Sequence, residues 1–320
     1  MLRLIITIYK SNKGKEVLSK ENKIFNKQSI TIQLLTYKGD YIMKEVISMW
    51  KKTRMIILVS LSAAIYAAFL IAFKGGIVIV PGITEVRPAN VFPPVFGLLF
   101  GPAGAWGAAI GNLIGDIFGG SLGIGSIFGF FGNFFLGFVP YKMWGATFGL
   151  VKKDDMSMKM NSWQKILAFE IVALVASAAC AIIISWYLDL AGIVPFAFLG
   201  VTITVNNFAA AVVLGPILLG LFYPRVKRWG LLWTDIMDKE EVAKGFAINV
   251  GSVLMTVGSL GGLIIGILVA VGAAGQQLYG FAGSSGQMSV WLAVLPFLIM
   301  ILVSSFMLSG REQFTTEKEL

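Results

Sequence analysis

The chain of 320 residues has no histidine, a single cysteine and few charged residues, which make up 13% of it. Without histidine there is no Ser-His-Asp triad, no imidazole acid–base catalyst and no His-containing metal site. The lone Cys180 lies in an apolar run and leaves neither a disulfide nor a cysteine cluster for zinc or iron–sulfur. Since a soluble domain carries about a quarter charged residues, we expect a membrane protein that is not an enzyme and uses no metal or cofactor.

What fills the chain instead is apolar: 57% of the residues are hydrophobic, and the mean hydropathy is +0.80. Glycine (37 residues) and aromatic residues (12%) are both abundant, which is typical of closely packed membrane helices. The net charge of +9 is concentrated at the start, because residues 1–42 hold eight basic and three acidic side chains. Basic residues beside membrane helices normally signal topology, so no nucleic-acid partner is expected.

Residues 1–42 show neither a membrane span nor a signal peptide, because their apolar run is short and no small-residue cleavage site follows it. The sequence MKEVISMWKKTR, which begins at Met43, has the form of a short basic lead-in to a membrane helix. We therefore expect residues 1–42 to be a non-native or disordered extension, with translation starting at Met43. N-terminal sequencing of the natively expressed protein tests this expectation.

Eight apolar stretches of membrane length follow Met43, and they predict an all-α polytopic membrane helix bundle. The expected organisation is a six-helix substrate-binding core over 43–228, a cytoplasmic linker over 229–246 and a two-helix membrane hairpin with a tail over 247–320. The stretches are 55–73, 88–100, 103–119, 126–144, 166–188, 197–222, 247–271 and 290–309.

The basic residues between these stretches predict the orientation of the bundle. Fifteen Lys and Arg residues fall on one side, against only Lys74 and Arg87 on the other. A multi-pass protein of the cell membrane with both termini in the cytoplasm accounts for this asymmetry. The long cytoplasmic loops, 145–165 and 223–246, contain no GxxxxGK[ST] phosphate-binding motif, so ATP-driven work would need an ATPase on another chain.

Small residues recur at helical spacing in the first and third stretches. Gly107, Gly111, Gly115 and Gly119 predict a bare seam against which another helix packs closely. In the first stretch, small residues four apart either pack within the bundle or dock onto a different membrane subunit. The candidate docking residues are Ala63, Ala64, Ala67 and Ala68.

Polar residues inside membrane spans are costly and often functional. With the predicted orientation, most of them lie in the outer half of the bundle, where they could form a pocket for a small polar molecule. The alternative is that they only join neighbouring helices, which we expect of Asn207, because it points about 100° away from Asn206. The candidate substrate-binding residues are Glu85, Arg87, Asn90, Asp116, Asn133, Trp186, Thr202 and Asn206.

The segment EVRPANVFPPVFGLLFGPAGAWGAAIGNLIGDIFGG, from Glu85 to Gly120, resembles the substrate-binding S component of energy-coupling factor (ECF) transporters. It is most similar to the branch of queuosine-precursor transporters, which also carry an Arg and a Glu before the second span. The resemblance implies a subunit that captures a vitamin-like micronutrient and docks through its first helix onto a transmembrane coupling subunit bound to two ATPases. Carried over to this chain, the ligand-binding positions are Glu85, Arg87, Asn133, Trp186 and Asn206.

The stretches 247–271 and 290–309 depart from the six-span family pattern. They leave open a stand-alone eight-span secondary transporter or channel for a small polar solute, although 50–150 and 166–309 show no internal repeat. A membrane aspartyl protease would need two facing aspartates, and only Asp116 and Asp189 lie near the spans.

Overall fold

The computed structural model describes residues 43–73, 78–80, 84–85, 87–272 and 285–314, so the prediction for residues 1–42 and the loop residue Lys74 lie outside the described residues. A short antiparallel ribbon joins strands β1 (Val78–Val80) and β2 (Thr84–Glu85). A turn of π-helix spans Val257–Gly261. The helices are α1 (Lys44–Ser48), α2 (Thr53–Ala72), α3 (Phe92–Phe100), α4 (Pro102–Phe118), α5 (Ile124–Met143), α6 (Trp163–Leu190), α7 (Phe196–Arg228), α8 (Trp233–Ile236), α9 (Ile248–Thr256), α10 (Gly262–Gly272) and α11 (Met288–Met307).

Six helical segments in the described part of the chain are long and apolar enough to cross a membrane. The expected helical, multi-pass membrane architecture is therefore confirmed. These segments are Thr53–Ala72, Ile124–Ala146, Trp163–Leu190, Phe196–Ile236, Ile248–Gly272 and Met288–Phe314.

The predicted span 88–100 needs correction, because it contains only a 3-10 turn, Pro88–Val91, and the nine-residue α3. Nine residues reach about 14 Å, well short of a hydrocarbon core about 30 Å thick. Every residue of α3 is buried, and protein on all sides makes a short helix tolerable at membrane depth. Gly101 turns the chain into α4 with a φ of 55°, which favours glycine, so α3 and α4 form a hairpin.

The predicted glycine seam of α4 is confirmed, and its partner is α2. A Cβ added at Gly107 would lie 2.4 Å from the Cβ of Ser62, and one added at Gly111 would lie 2.9 Å from the carbonyl oxygen of Ala63. Because the glycines carry no side chain, the backbones of the two helices approach closely. This contact fixes the position of α2 beside the site described below.

The C-terminal helices pack against α6 and α7. Gly262 of α10 lies close to Phe297 of α11 and Ile182 of α6, and Gly266 lies close to Phe196 at the start of α7. A second buried apolar cluster joins α5, α6, α10 and α11. The helices beyond residue 247 therefore share a core with the helices before them.

A buried ion cluster, formed by Glu45, Tyr141 and Lys142, lies where α1 meets the end of α5. Glu45 and Lys142 form an ion pair with both side chains fully buried. The Glu45 carboxylate also accepts hydrogen bonds from the Tyr141 hydroxyl at 3.4 Å and the Ala243 N–H at 3.1 Å. The Lys142 ammonium donates to the Leu308 carbonyl at 3.4 Å, so the cluster joins four segments distant in sequence.

Candidate substrate-binding site

The backbone between Arg87 and Val91 is not α-helical, and this turn carries the first polar groups of the site. Proline at the start of the 3-10 turn fixes the local backbone and gives the chain no N–H at that position. The Arg87 N–H donates to the Asn206 side-chain oxygen at 3.0 Å, so α7 supplies the partner that this backbone lacks. Asn90, two residues into the turn, is thereby held inside the bundle at 5% exposure.

Around Asn90 lies a group of neutral polar side chains, called the amide cluster here. The Tyr66 hydroxyl lies 3.0 Å from the Asn90 side-chain oxygen and 2.8 Å from that of Asn133. The Asn90 amide nitrogen donates to the Asn207 oxygen at 2.6 Å. The members, drawn from α2, the 3-10 turn, α5 and α7, are Tyr66, Asn90, Asn133, Asn206 and Asn207.

The bonds of the cluster leave one acceptor in excess. The Asn133 amide nitrogen donates to the Gly129 carbonyl at 2.9 Å, which fixes the other end of that amide as oxygen, and the Asn90 nitrogen faces the Asn207 oxygen. The Tyr66 hydroxyl has a single proton and donates to only one of the two oxygens at a time. One amide oxygen can therefore accept a hydrogen bond from another molecule without breaking the cluster.

Charged groups flank the amide cluster. Arg87 and Asp116 lie near enough to Tyr66 to act on its hydroxyl electrostatically. Asp116 accepts from Asn112 at 3.3 Å and from Ser121 at 3.4 Å, beside the part of α5 that contains Gly129. The structure thus brings five predicted residues into one region: Arg87, Asn90, Asp116, Asn133 and Asn206.

Three predicted residues are placed differently. The Thr202 hydroxyl donates at 2.7 Å to the Phe198 carbonyl of its own helix. Trp186 stacks on Trp291 of α11 with ring centroids 5.7 Å apart and donates to its carbonyl at 3.1 Å. Glu85 lies in β2, where it pairs with Val78. Trp186 therefore contacts the C-terminal helices.

Sequence reasoning did not single out Tyr66, and it assigned Asn207 to the joining of neighbouring helices, a role that its bond to Asn90 fits. Asn206 accepts from the Arg87 backbone N–H at the start of the 3-10 turn, and Asn207 accepts from the Asn90 side chain within it. Both adjacent residues reach the turn because it wraps across the surface of α7. The signal available in the sequence was the Asn-Asn pair itself, since two adjacent amides in an apolar helix need partners in two directions.

The predicted docking face of α2 divides into two. Ala63 and Ala67 are each 3% exposed, and the close contact of α4 at Ala63 buries this face within the bundle. For these two residues the docking prediction is corrected, because a partner could reach them only by separating α2 from α4. Ala64 and Ala68, about 100° further round the helix, are exposed.

The second aspartate of the protease alternative has a structural role in the loops. The Asp189 carboxylate accepts from the Phe196 N–H at 2.8 Å and from the Gln287 N–H at 3.2 Å. These bonds cap the start of α7 and hold the chain that leads into α11. Asp116, by contrast, is bonded to Asn112 and Ser121.

A multi-pass helical bundle with a buried polar cluster beside an arginine has the architecture of a membrane transport protein, because polar groups at this depth often mark substrate pathways. The chain belongs to the QueT transporter family, which matches residues 56–224. This is a family of ECF transporter S components for queuosine precursors. Comparisons with curated proteins and with solved structures give no match. The family match begins in α2 and ends in α7, so α9 to α11 lie beyond it.

Proposed function

We propose that this protein is the substrate-capture subunit of an ATP-driven importer of the ECF type. Its ligand is a small polar micronutrient of the vitamin or queuosine-precursor class, and the amide cluster with Arg87 binds it. The observation that carries the proposal is the convergence of α2, the 3-10 turn, α5 and α7 on neutral polar side chains inside an apolar bundle. Membership of the QueT transporter family supports it.

The chemistry of the cluster suits a flat heteroaromatic ligand with donors and acceptors along its edge. Amide groups offer both kinds of hydrogen bond, and the excess acceptor beside Tyr66 prefers a ligand N–H. In a dry site an unpaired donor or acceptor is costly, so a ligand lacking the matching group is rejected. Arg87 adds a positive charge for an electronegative edge or a carboxylate.

Binding from the outside follows if the basic loops face the cytoplasm. Asn206 then lies about 15 Å along α7 from its outer end at Phe196, and Tyr66 lies about 9 Å from the outer end of α2. Glu85 and Arg87 belong to the outer loop that leads into the cluster. We propose that this loop contributes to ligand capture, with Glu85 as a contact.

Transport requires a partner, and the exposed face of α2 is the proposed docking surface. Ala64 and Ala68 are small and exposed, with Ile57 (59% exposed) and Leu61 (45%) on the same helix. Small residues let the backbone of another membrane helix approach closely. The partner is a transmembrane coupling subunit that carries two ATPase subunits.

Helices α9 to α11 form a fused membrane hairpin in this proposal, additional to a six-helix core. They pack on α6 and α7, whereas the docking face belongs to α2, so the hairpin leaves that face uncovered. The alternative is a stand-alone eight-span secondary transporter or channel, in which these helices complete the permeation path. Uptake by the purified protein alone in proteoliposomes would favour that alternative.

The ligand-binding half of the proposal is tested with Asn206→Ala. Removing the amide leaves the Arg87 N–H without its partner and weakens ligand contacts, so we expect a loss of about 1–3 kcal/mol, or about 5- to 150-fold in affinity. Binding of queuosine precursors and vitamins to the purified protein is measured by calorimetry. The matched control is Thr204→Val, because the Thr204 hydroxyl donates to the Gly200 carbonyl of its own helix. An equal loss of ligand affinity in Asn206→Ala and Thr204→Val would contradict the proposed binding site.

The coupling half is tested with Ala64→Trp, which places an indole on the proposed docking surface. Uptake in cells should fall at least tenfold while ligand binding to the purified subunit is unchanged. Ala209→Trp serves as the control, because Ala209 is an exposed alanine on α7, away from the docking surface. Normal uptake with Ala64→Trp would remove the docking surface from the proposal.

A further inference from the structure

A cleft of about 660 Å³ lies at the end of the bundle that carries the basic loops. One wall is the chain from Gly145 to Asp154, which follows α5. The other wall is the start of α9, through Asn249, Ser252 and Val253. This cleft is separate from the amide cluster, and α9 lies outside the family match.

The first wall is held in a fixed conformation. The Thr147 hydroxyl accepts from the Val151 N–H and donates to the Trp144 carbonyl, both at 3.3 Å. The indole N–H of Trp144 donates to the Met156 carbonyl at 2.8 Å in a buried contact. Phe148 is held at a φ of 52°, a left-handed conformation that is uncommon for an aromatic residue. These constraints form the cleft before any ligand enters.

The side chains that line the cleft are more basic than acidic. Lys152 and Lys153 line it and are exposed, against one lining carboxylate, Asp154, and the half-buried Glu312 lies behind this wall at Gly145. The second wall adds the N-terminus of α9, where no side chain caps the first turn. That helix continues through the π turn to Gly272, a run of 25 residues, and Asn249 in its first turn lines the cleft, so the positive end of its dipole lies beside the cleft. Two ammonium groups and a helix N-terminus together favour a phosphate.

Apolar side chains lead from the cleft along the membrane-facing side of the bundle. Phe148 is 58% exposed at one wall, and Val253 is 46% exposed at the other. Val250 (54% exposed), Val253 and Val257 (44%) recur three and four residues apart, so they form one stripe that runs from the cleft along the span. A free phosphate gains nothing from contact with such an apolar stripe, whereas an acyl chain packs against it favourably.

We infer that this cleft binds the headgroup of an anionic phospholipid, whose phosphate contacts Lys152 and Lys153 and whose acyl chain follows the valine stripe of α9. The cleft lies where the spans α5, α6 and α9 begin or end, which is the level of lipid headgroups. The bound lipid fills the junction between the family core and the additional C-terminal helices.

The test is native mass spectrometry of the purified full-length protein, titrated with phosphatidylglycerol and, separately, with phosphatidylcholine. The double variant Lys152→Gln, Lys153→Gln should bind phosphatidylglycerol about 25-fold more weakly, at roughly fivefold for each lysine. The matched control is Lys51→Gln, Arg54→Gln, which removes the same charge from exposed positions beside α2. The control should retain wild-type affinity, and Asp154→Asn should bind more tightly.

Equal weakening in the double variant and the control would mean general charge attraction and would overturn the inference. Equal binding of phosphatidylcholine and phosphatidylglycerol would do the same. A third titration uses inorganic phosphate, and binding of phosphate as tight as that of the lipid would show that the acyl chain contributes nothing and overturn the lipid assignment. Thermal unfolding of each variant, expected to match wild type because the lysines are exposed, separates loss of binding from loss of fold.

Discussion

The amide cluster and the ion cluster both bury polar side chains in an apolar bundle, but they differ in how fully those groups are paired. In the ion cluster the Glu45 carboxylate has three donors, and Lys142 has both the carboxylate and the Leu308 carbonyl. In the amide cluster the Tyr66 hydroxyl serves two oxygens with one proton. The charged groups of the ion cluster are therefore fully paired, whereas the amide cluster has an oxygen that can accept a hydrogen bond from another molecule.

Charge explains why the two regions are built differently. A buried ion costs several kcal/mol unless it is fully paired, so an ionic cluster has only one favourable arrangement and fixes the segments it joins. Neutral amides can exchange partners at a cost of about 1 kcal/mol per bond, so they can release one another for a ligand. We therefore propose that the ion cluster fixes the fold and that the amide cluster can exchange its hydrogen-bond partners for a ligand.

The largest effect is expected from Lys142→Met, which leaves the Glu45 carboxylate buried without its cation. We expect the free energy of unfolding to fall by about 3–5 kcal/mol, measured by denaturant unfolding in detergent. Ligand affinity of the folded fraction should be unchanged, because the ion cluster lies apart from the amide cluster.

The double variant Lys142→Met, Glu45→Gln is the control for that experiment. A neutral amide keeps hydrogen bonds with Tyr141 and Ala243 without a buried charge, so most of the lost stability should return. A double variant as unstable as Lys142→Met would show that packing around residue 142, and not the unpaired charge, causes the loss.

A smaller effect is expected from Tyr66→Phe, which keeps the ring and removes the hydroxyl shared by Asn90 and Asn133. Stability should fall by about 1 kcal/mol, and ligand affinity should fall about fivefold. Tyr187→Phe is a suitable comparison, because Tyr187 stacks on Phe128 through its ring and lies outside the cluster. Unchanged affinity with reduced stability would make the amide cluster purely structural.

The smallest effect is expected from Asp155→Asn, which tests the same Lys–carboxylate chemistry near water. Lys165 bonds Asp155 at 2.6 Å, but the Asp155 side chain is 50% exposed. Burial raises the pKa of the Asp155 carboxyl, yet hydrogen bonds from Lys165 and Ser157 outweigh burial and hold the pKa below its ordinary value. With solvent screening, we expect a stability loss below about 1 kcal/mol at neutral pH.

The sign of the pH dependence of this Asp155–Lys165 stabilisation follows from the lowered pKa of Asp155. The stabilisation is complete above the ordinary pKa of an aspartate and is lost as the pH falls through the lower pKa of the folded protein. The difference in unfolding free energy between wild type and Asp155→Asn should therefore shrink below about pH 4. If this difference in unfolding free energy does not change between pH 7 and pH 3, the effect of Asp155→Asn is due to packing and not to charge.

Local patterns were enough to predict several features of the fold. The glycine repeat predicted the close contact of α4 with another helix, since a missing side chain has the same effect in any context. The predicted span at 88–100 was wrong in length, because hydropathy measures apolar character and cannot distinguish a crossing helix from a short one buried in protein.

The sequence by itself determined that this is a helical membrane protein and which of its residues are costly to bury, because composition and helical periodicity are local properties of the chain. Only the tertiary structure decided which of those residues meet. Tyr66, Asn133 and Asn207 are brought together from α2, α5 and α7 by packing around one non-helical turn, while Trp186 is drawn away to Trp291. Likewise Ala63 and Ala64 are equivalent in the sequence, and the side on which α4 packs decides that one is buried and the other exposed.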